Sequence, residues 1–179
     1  AIRGAWQERI PMIILAPDSF GLGENPHLDP GPEWPYLLSD LGGPVRFSEN
    51  IVKWGKEIKN PRDLISDFMR ACYFAEMAPR GPTLLSIPFE LLMATMDFAL
   101  PPDITPQPLV TAEASLRNLA TTLLHFKNPI IITEHAGRNR KEIDLLIQFA
   151  ELMGVPVFEY PYPMYKNFPR MHPLHGIYA

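Results

Sequence analysis

Residues 70–90 read Arg-Ala-Cys-Tyr-Phe-Ala-Glu-Met-Ala-Pro-Arg-Gly-Pro-Thr-Leu-Leu-Ser-Ile-Pro-Phe-Glu, and this run constrains the fold more than any other stretch. It spells the end of an amphipathic helix, a Gly-Pro break, and a short apolar strand that stops at Pro88. The same grammar recurs. Glu8-Arg9-Ile10-Pro11, Lys127-Asn128-Pro129 and Gly154-Val155-Pro156 each stand between a helical segment and a short apolar run. Unbroken apolar runs alternating with helices are the pattern of parallel strands covered on both faces. The chain therefore reads as α/β, with parallel sheets flanked by helices, and its loops should carry its chemistry.

Composition bounds the function. The 46% hydrophobic content is enough for a packed core. A net charge of −4, with no Lys/Arg cluster interleaved with aromatics, leaves no footprint for a nucleic-acid backbone. Cys72 is the sole cysteine, so no internal disulfide is possible, and its place on the apolar side of a helix suits a buried thiol. The longest apolar runs fall far short of the ~20 residues that span a bilayer. The 21 prolines mark strand beginnings and loops and do not form a low-complexity tract. The chain starts at Ala1 without an initiator methionine and stops at Ala179 with no closing helix, so it is expected to be an interior piece of a longer polypeptide.

Along the chain, residues 1–9 predict the tail of a helix and residues 11–15 a strand. A Gly-, Pro- and Asp-rich loop follows over 16–35. Residues 36–41 suggest a short helix broken by Gly42-Gly43-Pro44, and Val45-Arg46-Phe47 suggests a strand. Asn60 as N-cap, Pro61 at the first helical position and Asp63 in the first turn announce a helix, with Leu64, Phe68, Cys72 and Ala75 on its buried stripe. The proline-rich stretch after residue 90 separates two helix-strand patterns and predicts a linker over 91–108. Beyond it, Leu116, Leu119, Ala120, Leu123 and Leu124 mark a helix over 112–126, followed by a strand over 129–133. Asn139 caps a further helix that ends at Gly154, and 155–159 is the next strand. That second half is a βαβ unit.

Candidate sites follow from this layout. Glu134-His135-Ala136-Gly137-Arg138 links a strand to a capped helix, the place where a doubly wound fold offers backbone amides to an anion. With a single glycine the turn lacks a dinucleotide fingerprint, and a plain tight turn is the favoured reading over ligand contact. His172 and His175 stand three apart, but Pro173 argues against a helix and no further ligands accompany them, so no metal site is assigned. Ser19, Ser48 and Ser86 lack a Gly-x-Ser-x-Gly elbow. The acids Asp18, Glu24, Asp29 and Glu33 share one loop and read more simply as a solvated acidic segment than as acid-base machinery. No catalytic residue is assigned.

The order of four segments resembles the thiamine-diphosphate-dependent enzymes of the acetolactate synthase, benzoylformate decarboxylase and oxalyl-CoA decarboxylase group. These are Arg9-Ile10-Pro11-Met12-Ile13-Ile14-Leu15, Asn50-Ile51-Val52-Lys53-Trp54, Arg70-Ala71 through Ala75, and Arg80-Gly81-Pro82-Thr83-Leu84-Leu85-Ser86-Ile87-Pro88. Pro129-Ile130-Ile131-Ile132, Ala136-Gly137-Arg138 and His172-Pro173-Leu174-His175-Gly176 extend it. The resemblance implies parts of two doubly wound, Rossmann-like domains. Residues 1–90 would be the C-terminal half of a pyrimidine-binding domain, 91–108 a linker, and 109–179 the N-terminal part of a central nucleotide-fold domain.

The resemblance also implies a thiamine diphosphate and Mg2+ lyase or transferase acting on a 2-keto acid or acyl donor, cytoplasmic and a homodimer or tetramer when whole. Two family features are missing from the chain, the glutamate that activates the cofactor and the Gly-Asp-Gly diphosphate motif, so the chain alone should be inactive. Trp34 and Lys53 would line the cofactor and substrate side. Ala136, Gly137 and Arg138 would meet FAD or ADP in the members that bind one. Two alternatives stay open, a stand-alone nucleotide- or CoA-binding module using Gly137 and Arg138, and a non-catalytic scaffold partner.

Overall fold

The computed structural model describes residues 1–18, 41–95, 97, 99, 102, 106–107, 110–161 and 164–176. The chain divides into two compact units, Ala1–Leu109 and Val110–Ala179.

The first unit is built on a parallel sheet of order β1-β3-β2, with β1 at Met12–Asp18, β2 at Trp54–Glu57 and β3 at Pro82–Pro88. The central strand is β3. Met12 aligns with Pro82 and Asp18 with Pro88 on one side, and Trp54 aligns with Thr83 on the other. All seven β3 residues are buried, which is why that run alternates so little. Helix α1 (Ile2–Gln7) precedes β1, and α3 (Leu64–Glu76) packs on the sheet.

The core gathers Ile58, Ala71, Leu85, Ile87 and Leu91, with Ile13, Trp54, Leu64 and Phe68 around it. Each fully buried aliphatic chain there contributes roughly 1.5–3 kcal/mol. The predicted start of α3 holds in its chemistry. Asn60 Oδ1 accepts the Arg62 N–H at 3.0 Å, and a 3-10 turn at Pro61–Asp63 leads into the helix. The buried face is rotated from expectation, because its fully buried members are Asp67, Ala71 and Ala75, while Cys72 is half-buried. Small Ala71 lets the helix lie close to β3, and Asp67 is tolerated there because Lys56 reaches it.

Residues 45–47 are not a strand. They lie inside α2 (Gly43–Ser48), whose N-terminus uses Gly42 and Gly43 at φ 81° and 80° and Pro44 in the first turn. Proline fixes a helical φ at a position that needs no N–H donor, and the Ser48 hydroxyl donates back to the Pro44 carbonyl at 2.7 Å. The strand of this region is β2, six residues further on. Helix α4 (Phe89–Met93) follows β3 directly.

The second unit begins with α5 (Glu113–His125), then β4 (Ile131–Thr133), a 3-10 turn at Ala136–Arg138, α6 (Arg140–Met153) and β5 (Val157–Glu159). Strands β4 and β5 pair in parallel, Ile131 with Val157 and Thr133 with Glu159, as a βαβ unit requires. Asn139 caps α6, its side chain accepting from the Lys141 N–H at 3.0 Å. Gly154 at φ 63° ends the helix and returns its N–H to Ala150 and Glu151, a left-handed stop that favours glycine. Ala150, Val157 and Phe168 form the core, with Ile131, Leu146, Ile147 and Leu174 packed on it. The apolar stripe of α5 is present but solvent-facing, with Leu116, Leu119 and Leu124 exposed. Among the described residues no helix is long and apolar enough to cross a membrane.

Candidate functional site

Ligands of open α/β sheets gather at the carboxyl ends of the strands. In the first unit that edge is marked by Asp18, Glu57 and Pro88. The buried Ser86 hydroxyl donates to Asp18 Oδ2 at 2.7 Å, fastening β1 to β3 where the chain leaves the sheet. Trp34 lies outside the described residues, as do Ser19, Glu24, Asp29 and Glu33.

Lys53 occupies the opposite edge. It immediately precedes β2, and its backbone N–H donates to the Pro82 carbonyl at 2.7 Å. Its ammonium donates to the Met77 carbonyl, at the C-cap of α3. A cation there complements the negative end of the helix dipole and satisfies a terminal carbonyl. Burial pulls the ammonium below the ordinary lysine value. Beside β2, a cleft of about 650 Å³ is lined by both signs of charge, including Arg46, Lys56, Lys59, Glu49, Glu57 and Asp63. Those charges do not converge on one ligand chemistry.

The carboxyl edge of β4 and β5 is the better-organised site. After Thr133 come Glu134 and His135, then the turn of Ala136, Gly137 and Arg138. The structure brings these three together with residues that sequence patterns did not single out. The Gly137 N–H donates to Asn167 Oδ1 at 2.9 Å. A Cβ at Gly137 would overlap the Lys166 carbonyl and Tyr165, so only glycine fits against that segment. The Arg138 guanidinium stands 5.2 Å from the centre of the Tyr165 ring, a cation–π contact. His135 meets the same tyrosine edge-on at 6.4 Å. Among the described residues its ring nitrogens meet no hydrogen-bond partner, and Glu134 Oε2 lies 3.5 Å from Nε2.

Beneath this turn lies Glu159, the last residue of β5 and almost fully buried. Oε1 accepts the Asn167 N–H at 2.8 Å, and Oε2 lies 3.3 Å from His175 Nε2. Burial alone would raise its pKa. The backbone N–H of Asn167, the facing His175 and the Phe168 N–H outweigh that, so the carboxyl sits below its ordinary value.

His172 and His175 do not converge on a metal. His172 Nε2 faces Glu151 of α6 at 3.2 Å, whereas His175 faces Glu159, and both rings pack on Phe168. Among the described residues no group of three or more His, Cys, Asp or Glu could hold a metal ion. The turn's free-amide chemistry is thus largely spent within the protein. Asn167 takes the Gly137 N–H, and Asn139 caps α6.

No family model matches the chain. The chain is 24% identical over 181 residues to benzoylformate decarboxylase of Pseudomonas aeruginosa, a match covering 96% of this chain and 31% of that protein. It is 28% identical over 129 residues to the acetolactate synthase large subunit of Corynebacterium glutamicum, covering 70% of this chain and 20% of that one. Among solved structures, a thiamin diphosphate-dependent enzyme from Mycobacterium smegmatis superposes with a TM-score of 0.74 at 26% identity, over 99% of this chain and 32% of the other. The chain therefore spans at most about a third of the length of these relatives.

Proposed function

We propose, taking as premise that this chain is related in sequence and fold to thiamine-diphosphate-dependent enzymes, that it forms part of a 2-keto acid decarboxylase or carboligase of that kind. One observation carries the reading. Nearly the whole chain, both α/β units included, aligns with an enzyme of this type at a TM-score of 0.74. Residues 1–90 are assigned to the second half of a pyrimidine-binding domain, 91–108 to the linker, and 109–179 to the first part of a central domain.

When bound, thiamine diphosphate supplies the electron sink for breaking the bond beside a keto carbon. The described residues do not fit the Mg2+-diphosphate end of that cofactor, since they offer no cluster of metal ligands. Mg2+ and the diphosphate are therefore assigned to other parts of the protein. What this chain contributes is shape. The buried β3 and the Ser86–Asp18 bond hold the carboxyl edge of the first sheet rigid as a wall. Trp34 is assigned to the cofactor side of that wall. Lys53 lies at the opposite edge of the sheet with its ammonium held by the Met77 carbonyl, and its assignment to the substrate channel rests on the resemblance of its motif and not on that geometry. The assembled enzyme is read as a cytoplasmic homodimer or tetramer acting on a small 2-keto acid or acyl donor, with this chain furnishing part of the dimer surface. If FAD or ADP meets the 136–138 turn, the contact is made by Arg138, because Asn167 holds the Gly137 amide.

The test is turnover by the 179-residue chain supplied with thiamine diphosphate, Mg2+ and either benzoylformate or pyruvate. No carbon dioxide above the buffer control is expected. Sustained release by this chain alone would overturn the assignment to a wall without cofactor-activating groups.

A further inference from the structure

Residues 164–176 run from the 136–138 turn and the last residue of β5 to the flank of that strand at Val157, and their attachments form one connected path. At the far end the segment lies beside β5, where the Val157 N–H donates to the Leu174 carbonyl at 2.8 Å and the Gly176 N–H to the Val157 carbonyl at 2.7 Å. In the middle, Phe168 is 2% exposed and carries His172 and His175 on its ring. At the near end stands Asn167, with no exposed surface at all. Its N–H goes to the buried carboxylate of Glu159, its Nδ2 donates to the Tyr165 carbonyl at 3.1 Å, and its Oδ1 receives the Gly137 N–H. The Lys166 carbonyl fills the space that any side chain at position 137 would need.

Each link depends on the next. Glu159 fixes the Asn167 backbone, the Asn167 carboxamide fixes the Gly137 amide, and the absence of a Cβ at Gly137 lets the segment come this close. The Gly137 amide is half-buried, so losing its acceptor costs free energy, and the turn loses a restraint on its position once Asn167 leaves.

We propose that residues 164–176 are a strap built into the second unit, and that Asn167 is the positioning residue through which the strap sets the 136–138 turn and withholds the Gly137 amide from outside ligands. Glu159 is the anchor on which the strap hangs. A small molecule that uses this amide has to displace the strap first. The inference rests on the second unit alone and not on the cofactor reading, so either can fail without the other.

Residue-resolved amide exchange by NMR on the 179-residue chain tests it. In Asn167→Ala the Gly137 amide should exchange roughly 5–30 times faster, the factor corresponding to loss of one hydrogen bond, while Ile131 and Val155, whose N–H groups donate to Pro156 and Ala150 and not to the strap, stay within about twofold of wild type. Equal acceleration at Ile131, Val155 and Gly137 would reduce Asn167 to general packing and overturn the positioning role. Glu159→Gln keeps Asn167 in place and serves if the alanine variant does not fold. It should speed exchange at Asn167 with Gly137 following, and an unchanged Gly137 would break the proposed coupling. In wild type, millimolar ADP should leave the exchange rate of the Gly137 amide unchanged, even if it shifts resonances near Arg138. A saturable slowing of Gly137 exchange in Asn167→Ala no greater than in wild type would show that the strap withholds nothing.

Discussion

Replacing Asp67 with alanine should destabilise the first unit by about 2–3 kcal/mol, and the geometry sets that figure. Asp67 is 2% exposed on α3, and the Lys56 ammonium of β2 lies 2.8 Å from Oδ1 and 2.7 Å from Oδ2. Arg70 stands farther away at 3.9 Å. Breaking a fully buried ion pair costs roughly 3–5 kcal/mol, mostly because the surviving charge is stranded. The Lys56 side chain is 37% exposed, so water recovers part of its hydration and the cost falls below that range.

The reverse replacement, Lys56→Met, strands the buried carboxylate and should cost more. Asp67→Asn keeps an acceptor for Lys56 and should cost least. Urea unfolding followed by tryptophan fluorescence reads this unit selectively, because Trp6, Trp34 and Trp54 all lie within residues 1–109. With a slope of about 2 kcal/mol per molar urea, the midpoint of Asp67→Ala should drop by roughly 1–1.5 M. A midpoint within about 0.2 M of wild type, or a milder effect for Lys56→Met than for Asp67→Ala, would refute the assignment of Asp67 as the group that needs its partner.

Two further outcomes follow from the same structure. Leu85→Ala empties a fully buried position on the central strand and should cost about 2–5 kcal/mol in the same fluorescence experiment, whereas a loss under about 1 kcal/mol would mean that β3 is not the core strand. Glu159 has a depressed folded pKa, so its contribution is fully present above pH 4.5, the ordinary glutamate value, and is lost as pH falls through the lower folded value. Of the groups facing it, His175 is titratable, and its strand partner Thr133 carries no charge. The Asn167 and Gly137 amide shifts should therefore change together below about pH 4.5, an acid transition that Glu159→Gln should abolish.

Punctuation is what the sequence displayed best. Asn60-Pro61, Asn139 and Gly154 act through their own backbone geometry, so their roles could be read locally, and the unbroken apolar run of β3 reflects burial on both faces. Val45-Arg46-Phe47 misled because apolar, β-prone side chains were weighed above the helix-starting Gly-Gly-Pro before them. Trp54-Gly55-Lys56-Glu57 shows no apolar alternation, and the parallel register with β3 makes it a strand. Asp67 hid for a related reason. A charge on an amphipathic helix suggests the solvent face, and only the distant Lys56 makes its burial tolerable.

The site divides in the same way. Gly137 was visible as a turn residue, but Asn167 is thirty positions away and reaches it through a loop with no periodicity to mark its contacts. Lys53 stood out by its place in a motif, while its bond to the C-cap of α3 depends on how helix and strand pack. The family resemblance lay in the order of segments along the chain, a signal that survives at 24% and 28% identity where single residues do not.

The most direct test of the central claim is carbon dioxide release from 2-keto acids by the native protein, isolated from its source through an antibody to this chain and stripped of bound cofactor. The account predicts activity that returns only when thiamine diphosphate and Mg2+ are added together. A native protein that neither binds thiamine diphosphate nor turns over benzoylformate, pyruvate or other 2-keto acids with it would contradict the proposed function.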